Sequence, residues 1–285
     1  NPTIKVVGPA AIVRFNFVGE QEFTVEAGNM KLSLFGRTRN RPAIATGGVV
    51  NAASQRVDQG LAPGSYISIY GSDLSDSTRA FTTPYLPLAL AQVSVSFDVP
   101  SRSISVPGRL HFVSPNQVNV QIPWELQGLT SAQMKVSFSN LSSVVYTVPL
   151  NDYSPACFEY TEPGTNRLLA AALDERYQLV TSTNAVARGH VVQLYVNGLG
   201  PVDDATRPAS GEPAPAQQLV WTKVKPTVTI GGKPAPDVQF WGLAPTYVGL
   251  YQLNVVVPND APTGIQPVVI TANGVTSKAA NLPVQ

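Results

Sequence analysis

Pro63-Gly64-Ser65-Tyr66-Ile67-Ser68-Ile69-Tyr70-Gly71-Ser72-Asp73-Leu74 aligns with Arg188-Gly189-His190-Val191-Val192-Gln193-Leu194-Tyr195-Val196-Asn197-Gly198-Leu199. Each segment has glycine at its second position and then alternates side chains with period two, the spacing of a half-buried strand. A second match follows in the same order: Gln117-x-Asn119-x-x-x-Pro123 with Gln252-x-Asn254-x-x-x-Pro258. Ahead of it stands an apolar segment closed by proline, Phe112-Val113-Ser114-Pro115 in one copy and Phe240-Trp241-Gly242-Leu243-Ala244-Pro245 in the other. Each copy ends on an alternating strand with a proline, Tyr146-Thr147-Val148-Pro149 and Asn281-Leu282-Pro283-Val284. Matches in one order are the mark of an internal repeat, here two copies of one β unit.

The repeat fixes which side chains face inward. Val118, Val120 and Ile122 share one face of their strand, as do Leu253, Val255 and Val257, and both sets are expected in a core. Gln117, Asn119 and Gln121 then point outward or toward a strand neighbour. A duplicated binding site is one reading of these amides, and hydrogen bonds to a nearby loop backbone are the other. Turn signals recur every 8–12 residues at Gly71-Ser72-Asp73, Pro163-Gly164, Gly231-Gly232 and Asn273-Gly274, the rhythm of a β-sandwich.

The predicted fold is therefore all-β: two tandem immunoglobulin-like β-sandwiches with an N-terminal β segment. The expected boundaries are 1–45 for the segment, 46–153 for the first sandwich and 154–285 for the second. Between the copies, Cys157 to Tyr160 and Leu168 to Leu173 read as strands, with a helical turn over Ala170 to Leu173 as the alternative. Residues 201–218, rich in Pro, Ala and Asp, read as a long surface loop.

Gly47-Gly48-Val49-Val50-Asn51-Ala52-Ala53-Ser54, the segment from Ala62 to Leu74, Phe112 through Glu125, and Leu194 through Val202 form a recognisable series. So does the stretch from Gly242-Leu243-Ala244-Pro245 to Pro258. Over residues 46–285 it resembles an uncharacterised C-terminal tandem domain of secreted acidobacterial proteins. Each copy is also similar to an immunoglobulin-like TIG/IPT module. The resemblance implies sandwiches on a secreted or surface protein, and it brings no catalytic residues with it.

Composition narrows the function classes. The chain has 285 residues, a formal net charge of +1 and only 13% charged residues. So little positive charge argues against nucleic acid, whose phosphates need clustered Lys and Arg. No apolar run approaches the roughly 18 residues of a membrane span. Cys157 is the only cysteine, so an intramolecular disulfide is impossible; it reads as a small core residue, or alternatively as a reactive thiol. A first residue other than Met, few charges and 25 prolines lead to the expectation of an extracellular or cell-surface chain after signal-peptide removal.

Catalytic signals are missing. The two histidines, His111 and His190, stand at or beside predicted strands, and no nucleophile elbow, zinc motif or phosphate loop is present. Asp203-Asp204 is a carboxylate pair without the spacing of a Ca²⁺ loop. No catalytic, cofactor or metal residue is assigned, and the expectation is a protein that is not an enzyme. Trp124, Trp221, Trp241 and Tyr247, with Tyr85 and Tyr251, are candidates for a flat sugar-binding platform, with core packing as the other reading.

The 1–45 segment alternates at Ile4/Val6, Val13/Phe15/Phe17, Phe23/Val25 and Met30/Leu32/Leu34, with a turn at Ala27-Gly28-Asn29. A segment this short cannot bury its own apolar face, so it must dock on its own chain or on another. Arg37, Arg39 and Arg41 form a basic exit that is either solvated or paired with an acidic partner. The leading expectation is a structural subunit that assembles with itself or other surface proteins by strand addition. Ile4, Val6, Val13, Phe15 and Phe17 would be the inserted face. A carbohydrate-binding or adhesion module is the alternative.

Overall fold

The computed structural model describes the chain apart from residues 1, 2, 8, 9, 16, 58 and 82; of 3–7, 10–12, 14 and 27 it describes the backbone alone. Four strands open it: β1 (Thr3–Val7), β2 (Ala10–Arg14), β3 (Gly19–Ala27) and β4 (Met30–Thr38). They form two antiparallel hairpins, β1 with β2 and β3 with β4. At the β3–β4 turn Gly28 adopts φ +60°, which glycine reaches without steric cost. No strand of the sandwiches pairs with either hairpin among the described residues.

The first copy runs through β5 (Ala43–Asn51), β6 (Tyr66–Ser72), β7 (Arg79–Ala80), β8 (Ala89–Leu90), β9 (Val93–Val99) and β10 (Ile104–Pro107). It continues with β11 (Arg109–Val113), β12 (Gln117–Gln121), β13 (Ser131–Phe138), β14 (Leu141–Ser142) and β15 (Tyr146–Pro149). One sheet has the order β5-β6-β12-β11-β7; the other is β10-β9-β13-β14, with β8 on β9 and β15 on β13.

The second copy begins with β16 (Ala156–Cys157), β17 (Glu159–Thr161), β18 (Leu168–Ala170), β19 (Ala172–Leu173), β20 (Val191–Asn197) and β21 (Val220–Trp221). It ends with β22 (Thr227–Ile230), β23 (Lys233–Pro234), β24 (Val238–Leu243), β25 (Tyr251–Val256), β26 (Gly264–Ala272), β27 (Val275–Thr276) and β28 (Ala280–Val284). Its sheets are β16-β20-β25-β24-β21, with β19 on β20, and β23-β22-β26-β27, with β28 on β26. β17 and β18 form a separate hairpin, so Ala170 and Leu173 lie in strands and the alternative of a helical turn there is set aside.

The two strand plans superpose down to details. Both copies carry a bulge on the strand before the Gln-x-Asn strand, between Leu110 and Phe112 and between Val238 and Phe240. Both close with a parallel bridge, Leu61 to Leu150 and Val186 to Val284. The Ser143 hydroxyl accepts from the Val136 N–H, and the Ser277 hydroxyl accepts from the Ile270 N–H. Repeated sequence therefore produces repeated geometry, as two immunoglobulin-like β-sandwiches.

Burial follows the alternation. Val118, Val120 and Ile122 are fully buried in the first core, and Leu253, Val255 and Val257 in the second. The amides divide. Gln117 donates to Asn119 Oδ1 at 2.9 Å, and Gln252 to Asn254 Oδ1 at 2.8 Å, an identical pair in each copy. Gln121 departs from its expected outward position: it is fully buried, because the second sandwich covers it. Its Nε2 donates to the Gly64 carbonyl at 3.0 Å and its Oε1 accepts from the Gly211 N–H at 2.8 Å.

Residues 201–218 form a loop exposed over most of its length, and one part of it is buried against the first sandwich. Ser210 and Ala214 are buried there. The Ser210 hydroxyl accepts from the Trp124 N–H and donates to the Glu125 carboxylate, while the Leu86 N–H donates to the Gly211 carbonyl. The loop lies against the first sandwich because its backbone groups find partners there. The basic exit likewise has its acidic partner within the chain. Arg37 and Arg39 both pair with Asp76, at 3.0 and 2.6 Å, and the Arg39 guanidinium lies 4.3 Å from the Phe138 ring centre.

Candidate functional site

The two sandwiches meet through buried polar groups. Asn197, at the end of β20, donates to the Tyr66 carbonyl (2.8 Å) and to Asn51 Oδ1 (2.9 Å), and accepts from the Tyr66 N–H (3.0 Å). Its amide thus pairs with the backbone of β6 as a neighbouring strand would. Asn51 donates in turn to the Ser154 carbonyl at 2.8 Å. Trp124 stands beside this clamp. It belongs to the first sandwich by sequence and to the second by packing, being 4% exposed within that copy's core. Its ring lies over Gly64, where a Cβ would overlap it. In a closed interior, satisfied polar groups of this kind fix one arrangement of their elements.

Beside the clamp opens a cleft of about 870 Å³ shared by both copies, within the size range of small-molecule sites. The first sandwich contributes Tyr66 from β6, His111 from the bulge of β11, Asn119 from β12, and Phe81, Thr83 and Leu86 from the segment between β7 and β8. The second contributes Phe158, Val248, Leu250 and Tyr247. Tyr66 and His111 meet edge to face, with ring centres 5.7 Å apart. Burial pushes the Tyr66 phenol well above its ordinary range and the His111 imidazole below its own, so His111 is neutral around pH 7. Tyr247 is 57% exposed.

The loop carrying Tyr247 is held in a costly conformation. Thr246 sits at φ +70°, a region β-branched residues avoid. Its N–H donates to the Ala214 carbonyl, and the Ala214 N–H returns to the Tyr247 carbonyl. Backbone strain held by surrounding bonds concentrates at binding sites.

The candidate aromatic platform is not assembled as one surface. Trp124 is buried in the junction and offers no ring face, because the second sandwich closes over it. Trp221 and Trp241 come together, edge to face at 4.7 Å, and Phe240 packs on Trp221 at 4.9 Å. Lys225 covers the Trp241 ring at 4.5 Å. Tyr251 is fully buried, its hydroxyl donating to the Gly200 carbonyl. Of the four platform candidates, only Tyr247 lines the cleft; Tyr85 is exposed on the segment before Leu86.

Of the assembly candidates, the side chains of Ile4 and Val6 lie outside the described residues. By register Ile4 stands opposite Val13 in the β1–β2 hairpin. Phe15 packs on the β3–β4 hairpin over Gly36, with its ring 5.6 Å from that of Phe23. Phe17 is exposed. Phe23, Val25, Leu32 and Leu34 share one face of this hairpin, and Val25, Leu32 and Leu34 are exposed.

Other candidates for chemistry are quiet. The Cys157 thiol is buried in the second core, and burial pushes it up to about 12, so it is protonated at neutral pH. Asp204 is bonded to Arg207 and Lys223. No group of three or more His, Cys, Asp or Glu with metal-binding geometry occurs among the described residues, and no helix among them is long and apolar enough to cross a membrane.

Comparison with known proteins adds likeness without identity. No family model and no curated protein matches the chain. Among solved structures it is similar to an SGBP-B of the mixed-linkage glucan utilization locus of Bacteroides ovatus, in complex with a mixed-linkage heptasaccharide. The identity is 12% and the TM-score 0.33, over 96% of this chain and 55% of that one. An SGBP-B from a complex xyloglucan utilization locus in Bacteroides uniformis matches at 12% identity and TM-score 0.26, over 86% of this chain and 50% of that one. The chain thus spans about half the length of these two proteins. Tandem immunoglobulin domains of titin match at 10% identity and TM-score 0.19, covering 79% of this chain and 89% of theirs.

Proposed function

We propose that the chain is a non-enzymatic carbohydrate-binding or adhesion module of an extracellular or cell-surface protein, with the junction cleft as its glycan site. The observation that carries this is the convergence of Tyr66, Phe81, His111, Phe158 and Tyr247 from two sandwiches on one open cleft. Aromatic faces bury the C–H surfaces of sugar rings, and the Tyr66, Tyr247 and Asn119 polar groups can fix a ring's orientation. Titration calorimetry with plant and bacterial-wall oligosaccharides tests it. Tyr247→Ala and Phe158→Ala should each weaken binding roughly tenfold or more, about 1.4 kcal/mol. A glycan array with no hits removes the reading.

A second reading is self-assembly through the N-terminal segment. It rests on the exposed apolar face of the β3–β4 hairpin at Val25, Leu32 and Leu34. This two-stranded sheet also leaves both of its edges unpaired among the described residues, and such edges template strand addition. Light scattering on the full chain and on Val25→Lys with Leu32→Lys tests it. Oligomers lost in the variant support it, and a wild-type monomer at high concentration ends it.

A further inference from the structure

The cleft is built without counter-charge. None of its described lining residues is Asp, Glu, Lys or Arg. Among these described residues the titratable groups are the Tyr66 and Tyr247 phenols and the His111 imidazole. His111 faces Tyr66 edge-on and has no acidic hydrogen-bond partner among the described residues, in contrast to His190, which pairs with Glu175 at 3.0 Å. Arg109, on the same strand as His111, lays its side-chain methylenes against Gly211 and is not part of the lining. Leu86, Val248 and Leu250 complete an apolar floor.

We infer, resting on the glycan-binding reading above, that this cleft selects uncharged saccharides and rejects those carrying carboxylate or sulfate groups. A sugar acid brought into the cleft gives up hydration that no cation there replaces, and an unpaired charge in such surroundings is costly. A neutral ring gives up hydroxyl hydration alone, which the Asn119 amide and the two phenols can offset.

The experiment is competitive titration of the full chain at pH 7.5. One panel holds neutral oligosaccharides (β-glucan, xylan and mannan fragments). The other holds oligogalacturonates and sulfated oligosaccharides of matched length. Each is run at low and at 0.5 M salt, on wild type, Tyr247→Ala and Thr83→Lys. Thr83 is exposed on the cleft rim, so the added cation enters without disturbing a core. The expected result is neutral binding, weakened roughly tenfold or more in Tyr247→Ala, with acidic glycans at least roughly tenfold weaker than neutral ones on wild type. Thr83→Lys should narrow that gap at low salt. Acidic glycans that bind wild type as well as neutral ones, and lose binding in Tyr247→Ala, overturn the neutrality inference and leave the site assignment standing. No binding by either panel, or binding indifferent to Tyr247→Ala, overturns the glycan reading itself.

Discussion

Trp124 and Asn259 hold one position in two copies of the same fold. Each follows the proline that ends its Gln-x-Asn strand, and each lies against the glycine that opens the first aligned strand, Gly64 or Gly189. Both glycines have positive φ, +83° and +78°. Yet Asn259 is exposed, while Trp124 is buried in the core of the other copy. The same divergence recurs where Ser72, exposed, aligns with Asn197, buried and making three hydrogen bonds. The strand plan tolerates either residue. What differs is whether the position faces water or the partner sandwich. Duplication supplies the frame, and departures from the duplicate supply the junction and its cleft.

Substitutions at matched positions test that contrast. The largest effect is expected at Trp124. Trp124→Ala empties a buried site and should cost about 3–5 kcal/mol in denaturant unfolding. Asn259→Ala should stay within about 0.5 kcal/mol. Equal effects would mean that the junction adds nothing to the fold. Next comes Asn197→Ala, which strands the Tyr66 N–H and takes one of their donors from the Tyr66 carbonyl and from Asn51 Oδ1; the expected loss is about 1–3 kcal/mol. Ser72→Ala, at the aligned place, should be near neutral.

Smaller effects separate the second copy's interior from its rim. Cys157 should resist a thiol reagent in the native protein at pH 8 and react fully in denaturant, as its burial and raised pKa require. Rapid native labelling would show that the core opens locally. At the rim, Asp174 is held down to about 2, first by the Gln178 N–H, with Arg176 and Asn184 also donating to it. Its folded value lies below the ordinary 3.8, so its contribution is present above about pH 4 and fades as pH falls toward 2. Asp174→Asn should flatten the acid limb of thermal stability in that window, and an unchanged limb would assign the acid sensitivity elsewhere.

Much of the frame is legible in the chain itself. Period-two alternation and the aligned motifs carry both sheets and the inward faces of Val118 through Ile122 and Leu253 through Val257. They carry them because strand burial is a local, repeating property. The junction is not periodic. Gln121 alternates as an outward residue and is buried only because a loop from the other copy reaches it. The buried part of the 201–218 loop, at Ser210, Gly211 and Ala214, goes unmarked for the same reason: its partners lie far along the chain. A signal for the site does exist, in the mismatches between copies, Trp124 against Asn259 and Asn197 against Ser72. The cleft residues Phe81, His111 and Phe158 carry no such mark, since they come from separate segments that only the packing of two sandwiches brings together.

Clamp and Trp124 together make the two sandwiches one unit at this junction, so that the cleft keeps its shape. Differential scanning calorimetry of the full chain against Trp124→Ala tests it most directly. The wild type should unfold both sandwiches in a single cooperative transition, and Trp124→Ala should separate it into two. A wild type that already melts in two independent transitions, unmoved by Trp124→Ala, would contradict it.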